Sequence, residues 1–148
     1  MKIVLAVDGS KFSEAAVQTV MEQARPQDTE VRVLHVVEPP TLLVAREMGG
    51  YDQALDAMWE AERKEAEALV TKIAGRLRPK CLKVTPTVEQ GDPKSKIIEA
   101  ASKWRADLIV VGSHGRKGLE HFLLGSVSEA VAHHAGCSVE IVRIPSKR

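Results

Sequence analysis

The stretch Ile3-Val4-Leu5-Ala6-Val7-Asp8-Gly9-Ser10 decides how the rest of the chain is read. Five apolar residues in a row, cut off by Asp-Gly-Ser, describe a short strand covered on both faces. A strand with one wet face would alternate instead. Four more runs outward from it share the Val/Ile enrichment and the breaker at the end. They are Val31–Val37 before Glu38-Pro39-Pro40, Val84–Val88 before Gly91, Leu108–Val111 before Gly112, and Val139–Ile144 before Pro145.

Helical patterns fill the gaps. Ser13 reads as an N-cap with Phe12 and Val17 as a hydrophobic staple, and Ala16, Val17, Val20, Met21 and Ala24 form the stripe that Pro26 closes. A long helix from about Tyr51 to Arg78 buries Leu55, Met58, Trp59, Ala66, Leu69, Val70, Ile73 and Leu77. Its opposite face is charged, with Glu60 and Lys64 at i,i+4 spacing. Asp92-Pro93 reads as N-cap and first helical residue, followed by Ile97, Ile98, Ala101 and Trp104. Ser126-Val127-Ser128-Glu129 has capping-box spacing, and Gly136 stops the helix it opens.

Strict β-α alternation implies an α/β fold with an open five-stranded parallel sheet and two helices on each face. Runs one and four are apolar throughout and run two reads as a near-continuous apolar run broken by Arg32 and His35, as suits central strands. Pro86 gives run three no ladder donor, and Glu140 and Arg143 mark run five, so both belong at edges. The order 3-2-1-4-5 satisfies all of these. At 148 residues the chain is one domain, 1–148, with 44% hydrophobic and 28% charged residues. A net charge of +1 excludes a general nucleic-acid or anionic-membrane binder. Without an apolar run of 18 residues or a leader pattern, the expected location is cytoplasmic. Cys81 and Cys137 fit no metal or disulfide spacing and read as buried inert thiols.

In a sheet of this order, ligands bind at the carboxyl ends of strands one and four, where the winding reverses. Asp8-Gly9-Ser10 and Gly112-Ser113-His114-Gly115 arrive there. Gly112, Gly115 and Gly118 free the backbone for positive φ and close approach, Arg116 and Lys117 add cations, and Gly125-Ser126 opens a helix N-terminus. Together these suit a polyphosphate; a tight turn alone is the plain alternative. No Lys follows Gly125 as a P-loop needs, and only Gly9 stands where a dinucleotide fingerprint needs three glycines.

The spacing Gly112-x2-Gly115-x9-Gly125-Ser126 resembles the G-2x-G-9x-G-(S/T) motif of the ATP-binding branch of the universal stress proteins. VDGS at 7–10, LHVVEPP at 34–40, DLIVVGSHGRKGL at 107–119 and LLGSVSEAVAHHAGCSVEIVR at 123–143 extend the likeness along the whole chain. The resemblance implies an adenine nucleotide alpha-hydrolase-like fold that holds ATP, or ADP or AMP, with Mg or Mn. It places Asp8 near the ribose or the phosphate-bound metal, and the Val36 backbone at adenine beside Ala6 and Val7. Gly112, Ser113, His114, Gly115, Arg116 and Lys117 would line ribose and phosphate, while Gly125, Ser126 and Val127 would hold the phosphates. The loop from Pro39 to Met48 would partly cover the base. It also implies a homodimer through Val139–Ile144, for which an edge strand with apolar residues on both faces is suited.

Other chemistry is weaker. Asp8 could instead cap its own turn. His114 and His121 lack metal-ligand spacing, adjacent His133 and His134 diverge on a helix, and His35 reads as a satisfied core histidine. An ATPase or nucleotidyl transferase on the same fold lacks a placed base other than Asp8. A phosphoacceptor switch would need an acidic pair after strand one, an Asp after strand three and a Lys after strand five; Asp8 has no acidic neighbour, strand three ends in Val88-Glu89, and strand five ends in Ile144-Pro145. A binding module with slow or no turnover is the expected function.

Overall fold

Residues 1–39, 53–115 and 124–145 are described by a computed structural model. Their elements run β1 (Lys2–Ala6), α1 (Lys11–Gln23), β2 (Glu30–Val37), α2 (Gln53–Leu77), a 3-10 turn (Arg78–Lys80), β3 (Lys83–Gln90), α3 (Pro93–Trp104), β4 (Leu108–Gly112), α4 (Ser126–His134) and β5 (Ser138–Val142). All pairings are parallel and the order is β3-β2-β1-β4-β5, as expected. Pro86 lies opposite Val33 on the outermost strand, where its missing N–H costs no ladder bond on the open side.

Side-chain alternation divides the core between the faces. Ile3, Leu5, Val7, Val33 and Val110 meet Val17 and Val20 of α1 and Val70, Ile73 and Leu77 of α2. Val4, Leu34, Val36, Ile109 and Val111 meet Ile97 and Ala101 of α3 and Val131 of α4. Each such side chain contributes roughly 1.5–3 kcal/mol on burial. The chain winds outward from β1 on one face and outward from β4 on the other.

Several local expectations are corrected. Ser10, not Ser13, caps α1, because Ser10 is extended (φ −80°, ψ 164°) and its hydroxyl accepts from the Ser13 N–H; Ser13 lies buried inside the helix. Gly125, not Ser126, is the N-cap of α4, so no capping box forms. Strand β5 stops at Val142, leaving Ile144 exposed beyond it. Glu60 pairs with Arg63 at 2.8 Å, one residue short of Lys64. Cys81 is buried and Cys137 half-buried, and burial pushes both thiols up from their ordinary pKa. Tyr51, at the expected start of the long helix, lies outside the described residues.

Candidate functional site

The exit of β1 is fixed by its own side chains. Val7 N–H donates to the Leu34 carbonyl (2.9 Å), and the chain then turns through Gly9 at φ +79°, a left-handed conformation that favours glycine. Asp8 Oδ1 accepts from the Ser10 N–H (2.9 Å), while the Asp8 N–H donates to Ser13 Oγ (3.3 Å). Ser13 Oγ donates in turn to the Ser10 carbonyl (3.2 Å). The Asp8 carboxylate is therefore held at Oδ1 as in an Asx turn. Its other oxygen, Oδ2, lies 3.0 Å from where a Cβ at Gly115 would stand.

At the exit of β4 glycines allow close approach. A Cβ at Gly112 would lie 2.6 Å from the Phe12 carbonyl carbon, so only glycine lets β4 slide under the start of α1. A Cβ at Gly125 would stand 3.1 Å from His114 Cα and 3.2 Å from the Ser113 carbonyl oxygen. Neither Gly112 nor Gly115 has a left-handed φ, which corrects the expectation for those two; Gly118 lies outside the described residues, and Gly125, read only as opening a helix, has none either. Their neighbours, not their own torsions, exclude a side chain.

Ser113 is the knot of this region. Its N–H donates to the Val142 carbonyl (2.9 Å) and its carbonyl accepts from the Gly125 N–H (2.7 Å) and from Ser128 Oγ (2.9 Å). Its hydroxyl lies 3.0 Å from His114 Nδ1, and the His114 ring packs on Phe12 with centroids 5.0 Å apart. The N–H groups of Ser113 and Gly125 are thus committed within the protein. Those of Ser126 and Val127, in the first turn of α4, have no intrahelical acceptor and no partner among the described residues. They sit at the positive end of the helix dipole.

The fourth component is the end of β2. Leu34 C=O faces β1 and Val37 C=O faces β3, where it accepts from Gly91 N–H (3.0 Å). By that alternation the Val36 N–H and C=O face β1, but β1 has already turned away and among the described residues they have no backbone partner on that side. The Val36 side chain is buried toward α3 and α4, with Ala6 packed on the same cluster.

Asp8, Gly115, His114 and Gly125 are consecutive neighbours in space, so the two strand exits and the α4 N-terminus form one surface. Ala6, Val7, Val36, Gly112, Ser113, Ser126 and Val127 adjoin it. Arg116 and Lys117 lie outside the described residues, as do Gly118, His121 and most of the expected cover, 40–48. Sequence reading missed Ser10, Ser13 and Ser128 as the residues that fasten the site. Ser128 stands three residues after Gly125, the spacing at which a helical hydroxyl can reach a cap carbonyl (3.0 Å here), and that was the available signal.

Among the described residues no group of three or more His, Cys, Asp or Glu side chains could hold a metal ion. A groove of about 570 Å³ runs between α3 and α4 past Ile98, Ser102, Ala130 and His134, on the helical surface and separate from the strand exits. No helix among the described residues is long and apolar enough to cross a membrane.

A model of the universal stress protein family matches residues 1–143. Universal stress protein MJ0531 of Methanocaldococcus jannaschii is 36% identical over 146 residues, spanning 99% of this chain and 84% of that protein. The solved structure of hypothetical protein MJ0577 superposes with a TM-score of 0.85 at 27% identity, covering 99% of this chain and 97% of that one. A family protein from Arabidopsis thaliana, solved with AMP bound, shares the fold with a TM-score of 0.71 at 21% identity, covering 99% and 93%.

Proposed function

Because the chain belongs to the universal stress protein family, we propose that it is a nucleotide-binding regulatory module of the stress response, taking ATP, or ADP or AMP, at the exits of β1 and β4. The observation that carries this reading is the contiguity of Asp8, Gly115, His114 and Gly125, with bare backbone where an ordinary side chain would stand. Phosphates would meet the backbone of His114 and Gly115 and the open N–H groups of Ser126 and Val127, since the Ser113 and Gly125 N–H groups are taken. Arg116 and Lys117 would add charge. Asp8 would face the ribose or the ion on the phosphates, and Mg or Mn would neutralise phosphate charge when bound.

The base would lie on Val36. One residue offering its N–H and its C=O on the same side of the strand complements the adenine edge, which presents N1 as acceptor and the 6-amino group as donor. The AMP-bound Arabidopsis protein of the same fold supports the ligand class.

Among the described residues Asp8 is the carboxylate placed at the β1 and β4 exits, and its Oδ1 is held by Ser10, so turnover should stay below about 1 per second. The working unit we propose is a cytoplasmic homodimer pairing β5, Ser138–Val142, with its twofold mate; sedimentation at micromolar concentration tests it. Mass spectrometry of the nucleotide released from purified, denatured protein tests the ligand. An adenine nucleotide is expected; protein that carries none and takes up no Mg-ATP would overturn the reading.

A further inference from the structure

Resting on that nucleotide reading, we propose that His35 is a positioning residue that keeps the Val36 peptide open for the base. The β1–β2 ladder runs to Ala6 opposite Leu34, and Val7 N–H adds one more bond to Leu34 C=O. In a continuing parallel ladder the next bond would run from Val36 N–H to Val7 C=O. That bond is absent. The Val7 carbonyl instead lies 2.6 Å from His35 Nδ1. A carbonyl oxygen only accepts, so Nδ1 carries the proton and neutral His35 is the Nδ1–H tautomer.

A side chain of β2 has therefore taken the acceptor that the next peptide of β2 would otherwise use. Two consequences follow at the place where β1 leaves the sheet. Val7 C=O is satisfied, which fixes the peptide leading into Asp8. Val36 N–H is left without a partner among the described residues, although Val36 is only 9% exposed. An unpaired donor in so covered a place is rare in folded proteins and calls for a partner from outside. The half-buried His35 thus does more than satisfy itself, as the sequence suggested; it holds a base-reading peptide ready.

The side chain at 35 needs an N–H two bonds beyond its Cβ. Asn carries one on its amide, whereas Leu has the bulk without the donor. In His35→Leu the Val7 carbonyl is left to Val36 N–H, and the ladder closes by one bond over the base site. Guanine presents the reverse edge, O6 as acceptor and N1–H as donor, so wild type should prefer ATP to GTP.

Calorimetry with Mg-ATP and Mg-GTP on wild type, His35→Leu and His35→Asn tests this, together with nitrogen NMR of the imidazole in the free protein. The expected results are at least about a tenfold loss of ATP affinity and a collapse of the ATP/GTP ratio in His35→Leu. His35→Asn should stay within about threefold of wild type. A general loss of stability would not move that ratio. Unchanged affinity and ratio in His35→Leu would overturn the role of His35 while leaving the nucleotide site standing. Wild type that binds neither nucleotide would overturn both. Should His35→Leu not fold, NMR decides: a proton on Nε2 instead of Nδ1 in free wild type overturns the proposal.

Discussion

The two ends of the sheet treat their backbone in opposite ways. At the amino ends the first four strands are tied to their neighbours: Glu30 N–H to Met1 C=O, Leu82 N–H to Thr29 C=O, and Asp107 N–H to Lys2 C=O, each at 2.8 Å. The Asp107 carboxylate returns the favour by accepting from Lys2 N–H at 2.7 Å. At the carboxyl ends β1 and β4 depart to opposite faces, and Val36 and the first turn of α4 keep backbone groups without a partner among the described residues. The same strands supply both ends, so composition cannot explain the contrast. Reversal of the winding between β1 and β4 does, because the loops leaving these two neighbours go to opposite faces and part from each other. One end closes the fold, and the other carries the groups that the proposed site would use.

Substitutions at each end should separate stability from binding, and one position joins the two. Gly112→Ala should have the largest effect, since its Cβ would overlap the Phe12 backbone at 2.6 and 2.7 Å and backbone cannot swing aside. Overpacking of this kind costs about 3 kcal/mol, or roughly 9 °C in Tm, with nucleotide binding lost alongside. Next comes Asp107→Ala at the closed end. Losing its charge-assisted bond to Lys2 costs about 1 kcal/mol and roughly 3 °C, with Mg-ATP affinity unchanged. Loss of affinity there would break the contrast between the ends.

Arg105→Gly should act with the opposite sign. Arg105 sits at φ 56° as the C-cap of α3, a left-handed position that glycine fills without its Cβ penalty. Thermal unfolding should show a gain of about 0.5–1 kcal/mol, with unchanged binding. The smallest effect concerns pH. A hydrogen bond from Arg76 holds the Glu14 carboxyl below its ordinary pKa, helped by Gln18. A lowered folded pKa means stability that is present above the ordinary carboxylate value and is lost as pH falls through the folded one. Half-exposed as the pair is, it contributes about 0.5 kcal/mol. Glu14→Gln should therefore lower Tm slightly at pH 7, and the difference should close only as pH falls through the lowered folded pKa of Glu14.

Much of this was legible in the sequence. Apolar runs ending in Gly, Pro or Asp gave the strands, and Pro86 placed β3 at an edge before any coordinates did. Helix starts were read three residues late at Ser13 and one late at Ser126. Several hydroxyls competed for each cap, and the choice depended on bonds to distant groups such as Ser113 C=O. The glycines were found but misread. Spacing reveals that a side chain is excluded, yet not whether a torsion or a neighbour excludes it. His35 was legible as satisfied, but its partner Val7 O lies across the strand pair, where single-chain patterns carry no information.

The central claim is that the exits of β1 and β4 form one nucleotide site, and Gly115 is where they touch. Its φ carries no left-handed strain, so Gly115→Val should fold with Tm within a few degrees of wild type. Its Cβ would stand 3.0 Å from Asp8 Oδ2, against a carboxylate whose other oxygen is pinned by Ser10. Calorimetric titration with Mg-ATP is the direct measurement. The account predicts binding to wild type and at least about a hundredfold weaker binding to Gly115→Val. Equal binding by the two proteins, or none by wild type, would contradict it.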